Sequence, residues 1–271
     1  MKLHLASFAA ASVLACAALP AAAVTFGSPD GNAHPFVGTL LFQRPDGFYS
    51  CSGTMMSPTV MLTAGHCTEE NGMVNLRTWV KFDENITVST GCNGDTACIV
   101  KYLDNAKNGW IPGTPHPHPL YNDYAQFPET YDAGIVVLSK AVKMAVYGEL
   151  PSLNFLDTIR TPNENHFTVV GYGMQGYIPA FYSDIWARYA GTTQLVELNS
   201  TWDGGQSAKY TNNPGIGGGT CYGDSGGPIF YSNTNIVVSV TSWGQTPCIG
   251  VDYNFRTDIK TSQDFIESYL K

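Results

Sequence analysis

The chain has 271 residues, of which 44% are hydrophobic and only 13% are charged, about half the charged share of an average soluble domain. This composition excludes a disordered segment and a coiled coil. Because 22 acidic residues outnumber 14 basic ones, the formal charge is −8, and the chain offers no basic surface for nucleic acid or anionic lipid.

The first 23 residues have the pattern of a secretory signal peptide. An apolar run over residues 5–19 follows a basic residue, and small residues lead to Ala23. The run is shorter than the roughly 20 residues that a membrane span needs. We therefore expect cleavage after Ala23, export, and a mature chain that begins at Val24 and is not held in a membrane. A lipoprotein processing box at Cys16 is the alternative, although the residues before it fit poorly.

The mature chain has the pattern of an all-β protein. Short apolar or alternating runs rich in Val, Ile, Phe and Tyr are separated by Gly and Pro, which is typical of the strands of a sandwich or barrel. The predicted strands span residues 36–42, 59–62, 76–82, 135–138, 167–170, 228–230 and 236–240.

The segments between these strands suggest how the chain is organised. Residues 101–130 contain five prolines, and we expect a long surface excursion there. Residues 139–157 lack a strand pattern and would connect two halves, 24–150 and 151–271. Residues 261–270 place apolar side chains on one face, which predicts a C-terminal amphipathic helix that packs on the last sheet.

Six cysteines follow the signal segment. An even number in an exported chain predicts three disulfides, although six cysteines allow many connectivities. Proximity in the sequence favours the pairs Cys51–Cys67, Cys92–Cys98 and Cys221–Cys248. Zinc is the alternative, but the cysteines lack zinc-site spacing and a His-Pro-His-Pro stretch has no third ligand nearby. We expect neither a metal nor another cofactor.

Three motifs stand in the order His, Asp, Ser. His66 ends Leu-Thr-Ala-Gly-His, Asp132 begins Asp-Ala-Gly-Ile-Val-Val-Leu, and Ser225 lies in Gly-Asp-Ser-Gly-Gly-Pro. A Ser hydroxyl is a weak nucleophile at neutral pH and needs a base such as His to take its proton. An Asp on the other ring nitrogen fixes the His tautomer and stabilises the imidazolium. The alternative, in which the three residues serve only turns and packing, requires all three motifs to occur in order by chance.

With these motifs the chain resembles the chymotrypsin/trypsin-like serine endopeptidases. Further matches are residues 118–121 before the Asp, residues 171–173 in the second half, and residues 242–244 near the expected substrate-binding strand. The resemblance runs from about Val24 to the C-terminal helix. It implies two Greek-key antiparallel β-barrels with a cleft between them, and a secreted monomer that hydrolyses protein or peptide substrates.

The resemblance also implies a role for each motif residue. Ser225 would be the nucleophile, His66 the general base and acid, and Asp132 the residue that orients His66. The backbone N–H groups of Gly223 and Ser225 would form the oxyanion hole, in which each donor lowers the barrier by roughly 3 kcal/mol.

Activation in this family uses a new N-terminus. An apolar N-terminal residue inserts into the second barrel, and its ammonium pairs with the Asp before the nucleophile, here Asp224. The residues from Val24 onward match the family's N-terminal sequence only loosely, yet signal cleavage would expose Val24 at close to the family spacing. We therefore expect export itself to activate the protein.

The substrate pocket is also implied by the resemblance. Its expected residues are Gly219, Thr220, Ser242, Trp243, Gly244 and Asn254. Gly219 stands where trypsin-like members carry Asp, and without that carboxylate the charge of a bound Arg or Lys would be desolvated without a partner. We therefore expect a neutral residue before the scissile bond. Asn254 would narrow or polarise the pocket, and Asp252 in the same loop is the residue that could oppose this expectation.

Two other functions remain open. A secreted binding protein on the same fold would be catalytically silent if Val24 never paired with Asp224. An esterase or acyltransferase would use the same acyl-enzyme chemistry on a different substrate.

Overall fold

The structure is a computed structural model that describes residues 24–125, 127–160, 164–179, 181–198 and 204–271. The signal peptide predicted for residues 1–23 and the lipoprotein alternative lie outside the described residues. No helix in these ranges is both long enough and apolar enough to cross a bilayer.

Antiparallel strands form most of the described chain. In chain order they are β1 (Ser28–Pro29), β2 (Val37–Arg44), β3 (Gly47–Met55), β4 (Val60–Thr63), β5 (Glu69–Glu70), β6 (Met73–Val74), β7 (Arg77–Lys81), β8 (Ile111–Pro117), β9 (Gly134–Leu138), β10 (Phe167–Gly171), β11 (Gly176–Ile178), β12 (Phe181–Ser183), β13 (Tyr189–Thr193), β14 (Leu195–Glu197), β15 (Ser207–Asn212), β16 (Pro228–Tyr231), β17 (Val237–Gly244) and β18 (Gly250–Arg256). The helices are α1 (Thr96–Asp104) and α2 (Lys260–Tyr269), with 3₁₀ turns at Gly65–Cys67, Ala106–Asn108 and Phe155–Thr158.

The first half is a closed barrel with strand order β2-β3-β4-β9-β8-β7. Inward-facing residues alternate along its strands, so that Leu40, Leu62, Trp79 and Ile135 are fully buried in one core. A closed barrel leaves no unpaired sheet edge, which explains why such short strands can form a stable unit.

The second half is an eight-stranded antiparallel sheet, curved into a half-barrel, with strand order β1-β13-β10-β16-β17-β18-β15-β14. Its own core contains Phe167, Val169, Tyr210 and Val238. Strand β1 comes before the first barrel in the chain but pairs with β13 of this sheet. The N-terminal segment is therefore held by the second half.

The structure confirms the all-β prediction, and each of the seven predicted strands overlaps an observed strand. The prediction of a long surface excursion over residues 101–130 is wrong in part, because β8 lies inside this segment and pairs with both β7 and β9. Pro115 and Pro117 pair only with β9, beyond the point where β7 runs alongside. Proline has no N–H group to donate, but no strand lies beside these two prolines on the β7 side, so no hydrogen bond between strands is lost there.

The helices also differ from the prediction. Helix α1 begins inside the loop closed by Cys92 and Cys98, where the Asp95 carboxylate caps it by accepting from the N–H groups of Ala97 and Cys98. The C-terminal helix is confirmed, but it does not pack on the last sheet alone.

One face of α2 reaches the first barrel. The Phe265 ring lies 5.0 Å from the His118 ring, and the Tyr269 ring lies 5.1 Å from the His116 ring. Burial lowers the pKa of both histidines. The His-Pro-His-Pro stretch is therefore a packing surface for the helix.

Arg188 connects the two halves from a fully buried position. Its guanidinium forms a salt bridge with Asp30 at 2.9 Å and donates to the carbonyl oxygens of Val37 at 3.0 Å and Phe82 at 3.1 Å. It also donates to the Tyr172 hydroxyl at 3.0 Å. The N-terminal segment, the first barrel and the second half therefore share a single buried cation.

Replacing Arg188 by Met should lower the free energy of unfolding by about 3–5 kcal/mol, because the buried Asp30 carboxylate would lose its guanidinium partner and keep only His34. Urea unfolding monitored by tryptophan fluorescence measures this change. The matched control is Arg160→Met at an exposed arginine, which should change stability by less than about 0.5 kcal/mol. Adding Asp30→Asn to Arg188→Met should recover part of the loss, and no recovery would contradict the pairing argument.

Candidate active site

His66 lies in a 3₁₀ turn that follows β4. The turn, Gly65–Cys67, is tied to β3 by the disulfide between Cys51 and Cys67. Gly65 has no room for a side chain, because a Cβ there would lie 2.8 Å from the ring of the buried Tyr121. The position of His66 therefore depends on both a glycine and a disulfide.

Asp132 is fully buried directly before β9. Its carboxylate accepts from the His66 backbone N–H at 2.9 Å and from His66 Nδ1 at 3.0 Å. The hydroxyls of Ser242 and Tyr124 also donate to it. Burial alone would raise the pKa of the Asp132 carboxyl, but the electrostatic interaction with His66 and the hydrogen bonds from His66 and Ser242 together outweigh burial and lower it. Asp132 is therefore an ionised partner for the imidazole.

Ser225 lies in a tight turn between β15 and β16. Gly223 and Gly226 have φ angles of +97° and +76°, in the left-handed region that favours glycine. A Cβ on Gly226 would also lie 2.0 Å from Thr63 Oγ1. Ser52 on β3 holds this turn, because its N–H donates to the Ser225 carbonyl at 2.8 Å and its hydroxyl donates to the Gly223 carbonyl at 2.9 Å.

The backbone N–H groups of Gly223 and Ser225 have no protein acceptor within the part of the chain that the structure describes. Both are thus available to an external oxygen. His66 and Ser225 line the same groove, although no hydrogen bond joins their side chains among the described residues. Such bonds are often long in free enzymes and tighten when substrate binds.

Asp224, next to Ser225, is fully buried and accepts from the N–H groups of Gly173 at 2.8 Å and Cys221 at 2.9 Å. Burial raises the pKa of its carboxyl to about 7. Among the described residues no salt bridge reaches this carboxylate. The side chain of Val24 is also fully buried, and the next residue, Thr25, pairs with Gly219.

A cavity of about 240 Å³ opens beside Ser225. Its walls are Thr220, Cys221, Tyr222, Ser225, Thr241, Ser242, Trp243, Gly244, Gln245, Thr246 and Cys248. Four of the expected pocket residues, Thr220, Ser242, Trp243 and Gly244, are among them, and Gly219 and Asn254 are not. Gly219 lies against Asn212, where a Cβ would approach the amide carbon at 2.5 Å.

Asp252, and not Asn254, pairs with Gly244 at the edge of this cavity. The Asp252 carboxylate accepts from the Thr220 N–H at 2.6 Å and from the Asn212 amide at 3.1 Å. Burial raises the pKa of its carboxyl to about 6. A carboxyl group therefore lies behind the cavity wall, although no charged residue forms part of the wall.

A second groove of about 650 Å³ extends from His66 and Ser225 on the other side. Aromatic side chains form much of it, together with one basic and one acidic residue. They are Phe42, Phe48, Tyr49, Tyr172, Trp186, Tyr222, Arg44 and Asp184. The space on this side suits an extended apolar chain.

Sequence reasoning missed Ser52 and Tyr124. Ser52 follows Cys51 in the sequence, but only the docking of β3 against the Ser225 turn reveals its contacts. Tyr124 lies in the proline-rich segment, eight positions before Asp132. No motif marks either residue.

Comparisons with known proteins agree with this geometry. A family model described as Trypsin matches residues 25–266. The chain is 27% identical over 231 residues to a trypsin of Saccharopolyspora erythraea, an alignment that covers 81% of this chain and 86% of that protein. It is 25% identical over 242 residues to serine protease VLSP-1 of Macrovipera lebetinus, with 88% and 84% covered.

Solved structures support the same fold. HL collagenase superposes with a TM-score of 0.67 at 16% identity, over 91% of this chain and 98% of that one. A structure named GrC superposes with a TM-score of 0.65, also at 16% identity, over 90% and 97% of the two chains.

Proposed function

The chain belongs to the trypsin family and is a serine endopeptidase, and from this premise we propose that His66, Asp132 and Ser225 are its catalytic residues. The observation that carries the proposal is the His66 ring, which donates from Nδ1 to the ionised Asp132 and faces the same groove as Ser225. With the Nδ1 proton held by Asp132, the other ring nitrogen, Nε2, is free to act as a base.

Peptide hydrolysis would proceed through an acyl-enzyme. Ser225 Oγ attacks the carbonyl carbon of the substrate while its proton passes to His66 Nε2. The oxyanion that forms accepts from the N–H groups of Gly223 and Ser225, which have no other acceptor within the described residues. His66 then gives the proton to the leaving amine, and the peptide bond breaks. Water repeats the sequence on the acyl group and releases the carboxylic acid.

Replacing Ser225 by Ala should lower kcat for peptide hydrolysis about 10⁶-fold, because the nucleophile is lost while the pocket is kept. Hydrolysis of internally quenched peptides measures the change, and matched ester substrates run in parallel separate a peptidase from an esterase. Ser207→Ala, a buried serine elsewhere on the second sheet, is the control and should retain activity. Full peptide hydrolysis by the Ser225 variant would contradict the proposal.

We also propose that the segment before Val24 is a signal peptide removed on export. The three disulfides support an oxidising compartment, because such bonds are rare in reducing cytosol. The buried Val24 side chain and the Thr25–Gly219 pairing hold the start of the mature chain against the second sheet. A free ammonium on Val24 would supply the cation that Asp224 lacks among the described residues.

This proposal sets a pH dependence. In a chain extended before Val24, the pKa of the Asp224 carboxyl is raised to about 7, so the folded state binds its proton more tightly than the unfolded state does. The extended chain therefore loses stability as pH rises from about 4 through 7. Pairing with the Val24 ammonium would remove that loss.

A chain that begins at Val24 should thus be more stable at pH 7.5 than one extended by Gly-Ser, by on the order of 3 kcal/mol, and equally stable near pH 3.5. Urea unfolding of both forms in the Ser225→Ala background, which prevents self-digestion, measures this. Asp224→Asn is the control, because it should remove the difference between the two forms. A difference that is the same at both pH values would contradict the proposed pair.

For the residue before the scissile bond we propose a neutral side chain. The cavity beside Ser225 has no charged wall residue, and both oxygens of Asp252 already accept hydrogen bonds from Thr220 and Asn212. An Arg or Lys side chain would lose its hydration and meet that carboxylate only behind the wall. The aromatic groove on the other side of Ser225 would hold the residues after the scissile bond.

Peptides with Ala, Leu or Phe before the scissile bond should be cleaved at least about tenfold faster than Arg or Lys peptides, which corresponds to the cost of one poorly paired charge. A peptide library with kcat/KM measured at pH 8 provides the test. Asp252→Asn should leave the neutral peptides within about threefold of the parent. Faster cleavage after Arg or Lys, lost in Asp252→Asn, would make Asp252 the specificity residue and contradict the neutral pocket.

A further inference from the structure

Tyr124 touches the buried carboxylate from a segment that the family motifs do not include. Its hydroxyl donates to Asp132 Oδ2 at 2.8 Å and lies 3.3 Å from His66 Nδ1 and 3.4 Å from Ser242 Oγ. The same oxygen, Oδ2, also accepts from His66 Nδ1 and from the Ser242 hydroxyl. One carboxylate oxygen therefore receives three hydrogen bonds.

The surroundings keep the Tyr124 hydroxyl protonated. Burial and the Asp132 charge raise the pKa of Tyr124 well above its ordinary value, so that the hydroxyl acts only as a donor toward the carboxylate in the working pH range. The backbone of Tyr124 has a φ angle of +61°, a left-handed conformation that is rare and strained for an aromatic residue. The fold holds this conformation while the hydroxyl reaches Asp132.

We propose that Tyr124 is a positioning residue that fixes Asp132 Oδ2 and moderates its pull on the His66 imidazolium. The proposal rests on the proposed catalytic roles of His66 and Asp132. Each hydrogen bond donated to a carboxylate spreads its negative charge and makes it a weaker partner for a neighbouring cation. Without the Tyr124 hydroxyl, more charge stays on the oxygen that faces His66. The imidazolium is then more stable, and the pKa of His66 is higher.

The other charged and titratable groups near this pair come from several elements. Tyr121 and Asp123 lie on the same segment as Tyr124, and the Tyr121 hydroxyl donates to Asp123 at 3.3 Å. Asp132 and, more weakly, Glu69 on β5 act electrostatically on Tyr121. Arg44 on β2 donates to the His66 carbonyl at 2.6 Å. β17 contributes only the neutral Ser242. Of these groups, only Ser242 also donates a hydrogen bond to Asp132 Oδ2.

Tyr121 provides a matched control for the test. Its ring lies edge to face with the Tyr124 ring at a centroid distance of 6.1 Å, and it is buried while Tyr124 is partly buried, but its hydroxyl donates to Asp123. Tyr121→Phe and Tyr124→Phe therefore remove the same chemical group from the same cluster. Only Tyr124→Phe removes a hydrogen bond to Asp132.

The experiment is a pH titration of His66 by ¹⁵N NMR, with the pH dependence of kcat/KM for a neutral peptide measured on the same proteins. Tyr124→Phe should raise the pKa of His66 by about half a unit and move the acid limb of kcat/KM upward by the same amount. At the optimum pH, kcat should fall about threefold, because Asp132 Oδ2 is no longer fixed by the hydroxyl. KM should be unchanged, because ground-state binding does not use the hydroxyl. Tyr121→Phe should match the parent in all of these measurements.

A second variant protects the test against misfolding. Incorporation of 3-fluorotyrosine at position 124 keeps the shape but makes the hydroxyl a stronger donor, and should lower the pKa of His66. Equal His66 titrations in the parent, Tyr124→Phe and the fluorotyrosine protein would overturn the role of Tyr124, even with peptidase activity intact. A parent protein without any peptidase activity would instead overturn the proposed function, while the NMR titration would still report on the hydroxyl.

Discussion

The geometry of the proposed active site depends on one buried charge, the carboxylate of Asp132. An ionised carboxylate is stable away from water only when hydrogen bonds and a cation compensate for its lost hydration. Here the donors come from separate parts of the chain: His66 from the turn after β4, Ser242 from β17 of the second sheet, and Tyr124 from the segment before β9. The charge can therefore be buried only when the two halves are docked, and the site is a product of their interface.

The turn that holds Ser225 also depends on contacts between the two halves. Ser52 on the first barrel fixes the Gly223 and Ser225 carbonyls, which leaves their N–H groups available on the opposite side of the turn. Arg188 supports this docking from the interior by joining the N-terminal segment, the first barrel and the second half. Within one interface, the Arg188 contacts therefore stabilise the docking of the two halves, and the Ser52 contacts fix the geometry of the turn.

Much of this arrangement is readable from the sequence because it is local. The motif around Ser225 needs small residues at fixed offsets, and the disulfides close short loops that proximity already favours. The lining of the cavity beside Ser225 is less local. The expectation for Asn254 depends on its distance to Cys248 along the chain, but in the sheet Asn254 lies opposite Thr241, and Asp252 lies opposite Gly244. The Tyr124 contact is likewise absent from any local pattern, because it depends on how a long proline-containing segment folds back.

The role of the Asp132 carboxylate can be tested directly by locating where an organophosphorus reagent attaches to the protein and how fast it attaches. The chain that begins at Val24 is treated with diisopropyl fluorophosphate, and the adduct is located by peptide mass spectrometry. A single adduct should form on Ser225, about 10⁴-fold more slowly in Asp132→Asn because the His66 tautomer is no longer fixed. An adduct elsewhere, or an equal labelling rate in the Asp132 variant, would contradict the claim that the buried carboxylate organises the site.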